Sequence, residues 1–133
     1  MPHHLFGVVF YLFSGFSEHL LTFVKRLNIW NFRIFGLESG TVYTGVCIDT
    51  ACSMGFCAEH AAAAAMITAG ESRFLKMIAV GWDGQILPPC GRCREFISQI
   101  HDENTQTKFM VREGLVVTLK ELLPFDWREA INE

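Results

Sequence analysis

The sequence predicts an α/β fold in which one sheet is flanked by helices. Segments with helical and strand character alternate along the chain, which is the pattern of a layered α/β protein. Hydrophobic residues make up 50% of the 133 residues, enough to form a globular core. Because no repeat or linker divides the chain, we expect residues 1–133 to form a single domain.

The first predicted elements are a helix and a β-hairpin. Apolar residues at helical spacing predict the helix over residues 17–27. Residues 29–37 are predicted to be extended, and residues 38–40, with the sequence Glu-Ser-Gly, predict a tight turn. Residues 41–48 then form the second strand of the hairpin.

The middle of the chain predicts a second helix followed by a strand. Residues 56–69 are rich in alanine, and we expect Gly70 to end this helix. Phe74–Val80 is an apolar stretch that predicts a strand. Asp83 and Gly84 follow it as a turn signal.

The last third of the chain predicts a third helix and two short strands. The pair Pro88-Pro89 ends any preceding strand, and the helix is predicted over residues 90–100. Residues 108–111 and 115–118 predict strands on either side of a Glu-Gly turn. A final helical turn is predicted at residues 119–122.

The charge of the chain argues against a nucleic-acid partner. Eleven basic and 14 acidic side chains give a formal net charge of −3. Binding to a nucleic-acid polymer requires a basic face that displaces counterions from phosphates. A small neutral or weakly charged substrate is therefore the better expectation.

Cysteine usage and the amino terminus indicate a cytoplasmic protein without a membrane partner. The five cysteines are an odd number clustered in the middle of the chain, whereas a secreted scaffold would spread an even set. The apolar segment 5–13 is about half as long as a membrane-spanning helix. No Lys or Arg precedes it, so we expect a soluble or core-docking segment, with a membrane or export element as the alternative.

Two cysteine motifs carry the chemistry. Residues 57–59 are Cys-Ala-Glu and residues 89–94 are Pro-Cys-Gly-Arg-Cys-Arg, each at the predicted start of a helix. Free amide groups and the macrodipole at a helix start favour the metal-binding thiolate. The spacing of Cys90 and Cys93 places both sulfurs on one face of a helical turn, and Cys57 adds a third. Three protein ligands leave a tetrahedral zinc ion with one open position, which is the catalytic arrangement.

Glu59 follows Cys57 by two residues, so it can lie beside the metal without ligating it. A carboxylate there can take a proton from an activated water molecule and pass it to a ring nitrogen and a leaving amine. Simpler explanations exist, because cysteine pairs also form redox pairs and structural zinc knuckles, and buried cysteine is often a small hydrophobe. Glu59 alone would be a solvated helix residue. The two motifs together favour a zinc deaminase site.

Residues 38–127 resemble the homotetrameric cytidine deaminases and the related blasticidin S deaminases. Four stretches carry the resemblance. They are Ser-Gly-Thr-Val-Tyr-Thr-Gly-Val at residues 39–46, Cys-Ala-Glu at 57–59, Pro-Cys-Gly-Arg-Cys-Arg-Glu at 89–95 and Glu-Leu-Leu-Pro at 121–124. The two cysteine motifs are highly specific, and the flanking stretches support them.

The resemblance implies a three-layer α-β-α fold, in which a central mixed sheet of about five strands carries helices on both faces. It implies one zinc ion per subunit, held by Cys57, Cys90 and Cys93. It also implies a homotetramer, with a homodimer as the alternative, and a small-molecule cytosine nucleoside as substrate. In the implied reaction, water activated by zinc attacks C4 of the cytosine ring, Glu59 protonates N3 and ammonia leaves. The backbone amide of Ala58 would contact the base.

The substrate region departs from the family pattern. Members that take cytidine carry Gly-x-Asn-x-Glu after the second strand and grip the ribose with the two polar residues, whereas this chain has Cys47 and Asp49 there. Asp49 can stand in for the glutamate at shorter reach. Cys47 is a poor replacement for an amide, which would cost on the order of 1–3 kcal/mol of substrate binding; a core position is the alternative for this residue. Cytidine itself is thus less firmly indicated than deamination.

Charge compensation at the zinc site also departs from the pattern. Three thiolates give the site a net negative charge, which makes the bound water a weaker acid. Family members often have an arginine after the catalytic glutamate, and this chain has His60. We expect Arg94 and His60 to hydrogen-bond the sulfurs and Arg92 to be a solvated helix residue.

The two ends of the chain leave alternatives open. Residues 1–37 do not resemble the family and are either a divergent segment or the product of a shifted reading frame. Phe125 and Trp127 either stack on the cytosine ring or cover the core or a subunit interface. The leading function is deamination of cytidine, deoxycytidine or a related cytosine nucleoside. The alternatives are deamination of blasticidin S or another modified cytosine nucleoside, and an inactive zinc-stabilised relative.

Overall fold

The computed structural model describes residues 32–36, 41–45, 47–48, 50–81 and 84–131. The predicted helix at residues 17–27, the apolar segment 5–13 and the predicted turn at 38–40 lie outside these residues. Within the described part of the chain, no helix is both long enough and apolar enough to span a membrane. The prediction of a single domain over the whole chain stays a prediction.

In the described part of the chain, six strands form one mixed sheet. The strands are β1 (Phe32–Gly36), β2 (Val42–Gly45), β3 (Phe74–Val80), β4 (Ile86–Leu87), β5 (Lys108–Arg112) and β6 (Leu115–Thr118). Their order across the sheet is β2-β1-β3-β5-β6, and β4 pairs with β3 off this path. β3 and β5 are parallel, and the other pairs are antiparallel. The predicted α/β class with a central mixed sheet is confirmed.

The predicted hairpin is present in the described residues, where its strands are β1 and β2. β1 and β2 are antiparallel, with Phe32 opposite Gly45 and Phe35 opposite Val42. Further along, an isolated bridge joins Ile48 to Phe56. The N–H of Ile48 donates to the carbonyl of Phe56 at 3.0 Å, and the N–H of Phe56 donates back at 2.8 Å. This bridge closes the loop between these two residues directly before the next helix.

The described helices flank this sheet and differ in length. They are α1 (Ala58–Thr68), α2 (Gly91–Ile100), α3 (Leu119–Leu122) and α4 (Trp127–Ile131), with 3₁₀ turns at Ala51–Ser53 and Asp102–Gln106. The prediction that α1 begins at residue 56 is wrong, because Phe56 is held in the bridge and Cys57 has extended φ and ψ of −65° and 153°. Gly70 follows α1 with a φ of +89°, as expected for a glycine that ends a helix.

The sequence prediction misses four short elements, namely β4, α4 and the 3₁₀ turns at Ala51–Ser53 and Asp102–Gln106. They contain two, five, three and five residues. Segments this short do not complete enough of a hydrophobic period to be recognised. The bounds of β3, β6 and α3 agree with the prediction.

Gly45, at the end of β2, allows α1 to lie directly on the hairpin. A Cβ atom at this position would come within 2.5 Å of the Ala58 carbonyl oxygen and 2.5 Å of the Ala62 amide nitrogen. Such distances are far below van der Waals contact, so only glycine permits this approach. The first two turns of α1 are thereby fixed against the hairpin, and α1 in turn carries Cys57 at its start.

Asn104 connects the start of β3 to the end of α2 inside the core. Its side chain is fully buried. The Oδ1 atom accepts from the N–H of Phe74 at 2.9 Å, while Nδ2 donates to the carbonyls of Ser72 at 3.0 Å and Ile97 at 3.2 Å. Because all these partners are backbone groups, the amide satisfies polar atoms that the packing of sheet and helix would otherwise leave unpaired.

Candidate active site

The amino-terminal ends of α1 and α2 meet and bring the three predicted cysteines together. Cys57 and Cys90 are the N-cap residues of α1 and α2, both with extended backbone angles, and Cys93 lies in the first turn of α2. The backbone N–H of Cys93 donates to the Cys90 sulfur at 3.4 Å. The spacing of the Cys-x-x-Cys motif therefore folds the two sulfurs of α2 towards each other, as the sequence predicts.

The three sulfur atoms form a group that can hold a metal ion. The Cys57 and Cys90 sulfurs are 3.6 Å apart, the Cys90 and Cys93 sulfurs are 3.2 Å apart, and all three lie within 4.8 Å of one another. A tetrahedral zinc ion with Zn–S bonds of about 2.3 Å requires sulfur separations of about 3.8 Å. Cys93 is buried whereas Cys90 is exposed, so the group can be reached from solvent.

The thiols of Cys57 and Cys93 differ in acidity. A hydrogen bond from Cys93 lowers the pKa of Cys57 to about 6; burial opposes this shift, while Cys90 and the charge of Arg92 add to it. The same hydrogen bond, together with burial, raises the pKa of Cys93. Cys57 therefore becomes a thiolate before Cys93 does, and its place at a helix start favours that charge.

Glu59 lies in the first turn of α1 and is 6% exposed. Burial raises the pKa of this carboxyl to about 7, with a smaller contribution in the same direction from the charge of Cys57. An acid with a pKa near neutrality can both accept and donate a proton under ordinary conditions. A cation held by the neighbouring sulfurs would lower this pKa and favour the base form.

Ala58 lies between Cys57 and Glu59 and is fully buried. As the first residue of α1 it has a backbone N–H without an acceptor inside the helix. Its proposed contact with the base stays a prediction.

His60 stacks on Phe96 of α2, with ring centroids 4.2 Å apart and an angle of 15° between the planes. Its Nε2 atom is buried and has no hydrogen-bond partner among the described residues. Burial and, to a smaller extent, the charge of Arg92 lower the pKa of His60. The neutral form of the ring is thus favoured, and the stacking connects α1 to α2. The predicted hydrogen bond of His60 to a sulfur stays a prediction.

The two arginines of the second motif differ in their contacts. The Nε of Arg94 donates to the carbonyl of Pro89 at 2.9 Å, and one terminal nitrogen donates to the carbonyl of Leu122 at 3.3 Å. These contacts fix the backbone just before Cys90, while the predicted contact of Arg94 with the sulfurs stays a prediction. Arg92 is exposed as predicted, but its charge acts on both Cys57 and His60. The sequence analysis did not predict this effect of the Arg92 charge on the two pKa values. The position of Arg92 between Cys90 and Cys93 is the feature from which it could have been predicted.

The predicted substrate contacts lie in different parts of the molecule. Cys47 is half-buried and packs against the hydrophobic core, which is the position that the alternative interpretation gives it. Asp49 lies outside the described residues. Trp127 is 54% exposed, and its indole N–H donates to the Glu95 carboxylate at 2.7 Å. Contact of these residues with a substrate stays a prediction.

The comparison with curated proteins finds relatives that cover part of the chain. No family model matches the sequence. The cytidine deaminases of Mycobacterium tuberculosis strains CDC 1551 and H37Rv are each 34% identical over 62 residues, which is 46% of this chain and 47% of the relative. The chain therefore spans about half the length of the curated relatives it matches.

Solved structures match a larger share of the molecule. The cytidine deaminase from Mycobacterium leprae is 30% identical with a TM-score of 0.63, over 71% of this chain and 77% of that chain. The enzyme from Mycobacterium tuberculosis is 26% identical with a TM-score of 0.64, over 73% and 77%. The enzyme from Bacillus anthracis is 24% identical with a TM-score of 0.65, over 77% and 76%, and supports the fold alone.

Proposed function

Because this chain belongs to the cytidine deaminase family, we propose that it is a zinc-dependent hydrolase that converts a cytosine nucleoside to the uracil product and releases ammonia. One observation carries this proposal. Three converging sulfurs lie at the start of α1 and α2, next to a buried carboxyl whose pKa is raised to about 7. A metal ligand set and a proton carrier are the two parts that hydrolytic deamination requires.

Cys57, Cys90 and Cys93 are the residues that would hold the zinc ion, one per subunit. Thiolate is a soft ligand that favours zinc, and three protein ligands leave a position open for water or substrate. When bound, zinc supplies a Lewis acid that makes water nucleophilic at neutral pH. The low pKa of Cys57 supports binding, since at least one sulfur is readily ionised before the ion arrives.

Glu59 moves the protons of the reaction. It takes a proton from water as the new C–O bond forms at C4 of the ring, and it delivers that proton to N3. It then carries the remaining hydroxyl proton to the amino group, so that the C–N bond breaks and ammonia leaves with three hydrogens. The burial of Glu59 supports this cycle, because a carboxyl with a pKa near 7 exchanges protons in both directions.

The substrate that we propose is cytidine, deoxycytidine or a related cytosine nucleoside. The packing of Cys47 against the core favours a second candidate, a modified cytosine nucleoside such as blasticidin S. A half-buried thiol that packs against the core is a weaker hydrogen-bond partner for a ribose than the amide that the family has there. We also propose, from the resemblance, a homotetramer or homodimer. From cysteine usage and net charge, we propose that the protein is cytoplasmic and acts on no nucleic-acid polymer.

The test is ammonia release by the purified zinc-loaded protein. The panel contains cytidine, deoxycytidine, blasticidin S and N4- or ring-modified cytosines, and Glu59→Gln is the matched control. This substitution keeps the size of the side chain and removes its base, so we expect turnover to fall by about 10²–10⁴-fold or more with zinc retained. Ammonia release that persists in Glu59→Gln would contradict the mechanism. An absence of release from every substrate would favour the inactive relative.

A further inference from the structure

Helix α2 is attached to the carboxyl-terminal helix at two points away from the sulfurs. The indole N–H of Trp127 donates to the Glu95 carboxylate at 2.7 Å. One turn further along α2, a terminal nitrogen of Arg128 donates to the carbonyl of Ser98 at 3.0 Å. We call these two contacts, Trp127 to Glu95 and Arg128 to Ser98, the carboxyl-terminal latch.

One acceptor of the latch, Glu95, and one donor, Arg128, are themselves held by further hydrogen bonds. The Glu95 carboxylate also accepts from the side-chain amide of Gln99, at 2.6 Å. The guanidinium of Arg128 is oriented by Asp126, which accepts from Nε at 3.0 Å and from a terminal nitrogen at 2.5 Å. Hydrogen bonds to charged groups are the stronger kind, and a bidentate pair fixes direction as well as distance. The latch is therefore a defined geometry.

The far side of the latch is anchored in the core through α3. Leu119 is fully buried, and a capping box between Thr118 and Glu121 fixes the start of that helix. Among the five residues of α4, by contrast, none is buried. Polar contacts therefore hold α4 in place. Because α4 follows α3 closely in the chain and α3 is anchored in the core, the latch also connects α2 to the core.

The residues that the latch contacts share a stiff helix with two metal ligands. Glu95 and Ser98 follow Cys93 by less than two helical turns. Two fixed points on successive turns set the direction of a helix axis, and that direction decides whether Cys90 and Cys93 meet the Cys57 sulfur. The Cys57–Cys90 sulfur separation of 3.6 Å leaves little room for α2 to tilt.

We propose that Trp127 and Arg128 are positioning residues for the metal centre, which they influence by holding α2 in the orientation that brings the three sulfurs together. This inference rests on the proposed zinc site. With the latch open, some of the metal-free molecules have α2 turned away, and the apparent metal affinity is multiplied by the fraction that stays competent to bind. We expect a decrease of about tenfold, at the lower end of what loss of outer contacts costs a metal site.

The test is a Co²⁺ titration of the metal-free protein, followed by thiolate-to-cobalt absorption with a competing chelator. The latch is opened in Trp127→Phe combined with Arg128→Met, which keeps the aromatic ring and the aliphatic stem. Glu129→Gln, on the same helix and exposed, is the control. On α2, Glu95→Met removes the acceptor and Glu95→Gln keeps one, so we expect weaker binding only in the former.

The outcomes separate the latch from the site that it positions. Tenfold weaker Co²⁺ binding in the double variant and in Glu95→Met, with Glu95→Gln and Glu129→Gln like the wild type, supports the proposal. Equal affinity in all variants overturns it, and so does a lower melting temperature without a change in affinity. Failure of the wild type to bind Co²⁺ would contradict the proposed zinc site and, with it, the positioning role of Trp127 and Arg128. Should the double variant not fold, Trp127→Phe alone decides by the same criterion.

Trp127→Phe also distinguishes positioning from substrate stacking. Phenylalanine keeps a ring that can stack on a base but lacks the N–H that Glu95 accepts. If the tryptophan only stacks on the substrate, the phenylalanine ring replaces it, so Co²⁺ affinity and KM both change little, which overturns the positioning role. If it positions α2, Co²⁺ affinity falls and KM of the fully loaded enzyme changes little.

Discussion

The starts of α1 and α2 supply the three sulfurs of the proposed metal centre but are built differently. At the start of α1, Ala58 and Glu59 are buried, and the helix lies against the hairpin through Gly45. At the start of α2, Cys90 and Arg92 are exposed while Cys93 is buried, and Arg94 donates to the carbonyl of Pro89 just before Cys90. The buried start can shift the pKa of a carboxyl, whereas the exposed start admits solvent and ligands. The difference suggests that proton transfer depends on packing at α1 and that metal access depends on α2.

The largest expected effect is a loss of zinc affinity on substitution of Cys90 at the exposed start of α2. Cys90→Ser keeps an N-cap acceptor for α2 but replaces a soft thiolate with a hydroxyl. We expect zinc affinity to fall on the order of 10³-fold, or about 4 kcal/mol, roughly one ligand's share of the binding free energy of a zinc site. Because Cys90 is exposed, the stability of the metal-free protein should change little. Chelator competition and chemical denaturation measure the two quantities, and destabilised metal-free protein would contradict the comparison.

A second prediction concerns the buried start. Gly45→Ala would place a Cβ within 2.5 Å of two backbone atoms of α1, so the helix must move or the strand must bend. We expect a loss of about 3 kcal/mol in the free energy of unfolding, together with weaker zinc binding as Cys57 shifts. Urea denaturation of the metal-free protein measures the first effect.

Gly91→Ala is the matched control at the exposed start. A Cβ at Gly91 meets no atom within 4 Å, so this variant should be neutral or stabilised by about 0.4–1 kcal/mol. If both glycine substitutions have the same effect, the contrast between the two starts is wrong.

The smallest expected effect is a change in the pKa of Cys57, at the start of α1, when the charge of Arg92, at the start of α2, is removed. The positive charge of Arg92 on α2 is one of the causes that lower the pKa of Cys57 on α1. In Arg92→Gln the pKa of Cys57 should rise by a few tenths of a unit, as expected for an exposed charge screened by solvent. The pH dependence of Cys57 alkylation in the metal-free protein measures it, and Lys120→Gln is the control. A curve that shifts to lower pH would contradict the assigned cause.

The sequence is sufficient to predict the elements that carry the sulfurs. An alanine-rich run after Cys57 and a proline pair before Cys90 mark two helix starts, and the Cys-x-x-Cys spacing places two sulfurs together. Local rules decide these features, because capping and helical spacing act over a few residues. The structure agrees with them within two residues.

The parts that the sequence does not predict depend on contacts between distant residues. The residues near Gly45 in the sequence do not predict that α1 lies against this glycine. The latch joins residues separated by 30 or more positions, and α4 is too short to be recognised by its period. The stacking of His60 on Phe96 likewise follows from how two helices meet. Tertiary packing determines such features, whereas sequence patterns predict only structure that is determined locally.

The bridge between Ile48 and Phe56 makes the loop that it closes a site for diversification. Its tip, at Thr50, Cys52 and Met54, is exposed, while the bridge fixes the backbone one residue before Cys57. Doubling the length of such a loop costs only about 0.6 kcal/mol in closure entropy. Insertions or randomised libraries between the bridge residues can therefore change the rim of the site while the sulfurs and Glu59 keep their places. Evolution and protein engineering can both use this separation of an adjustable rim from a fixed centre.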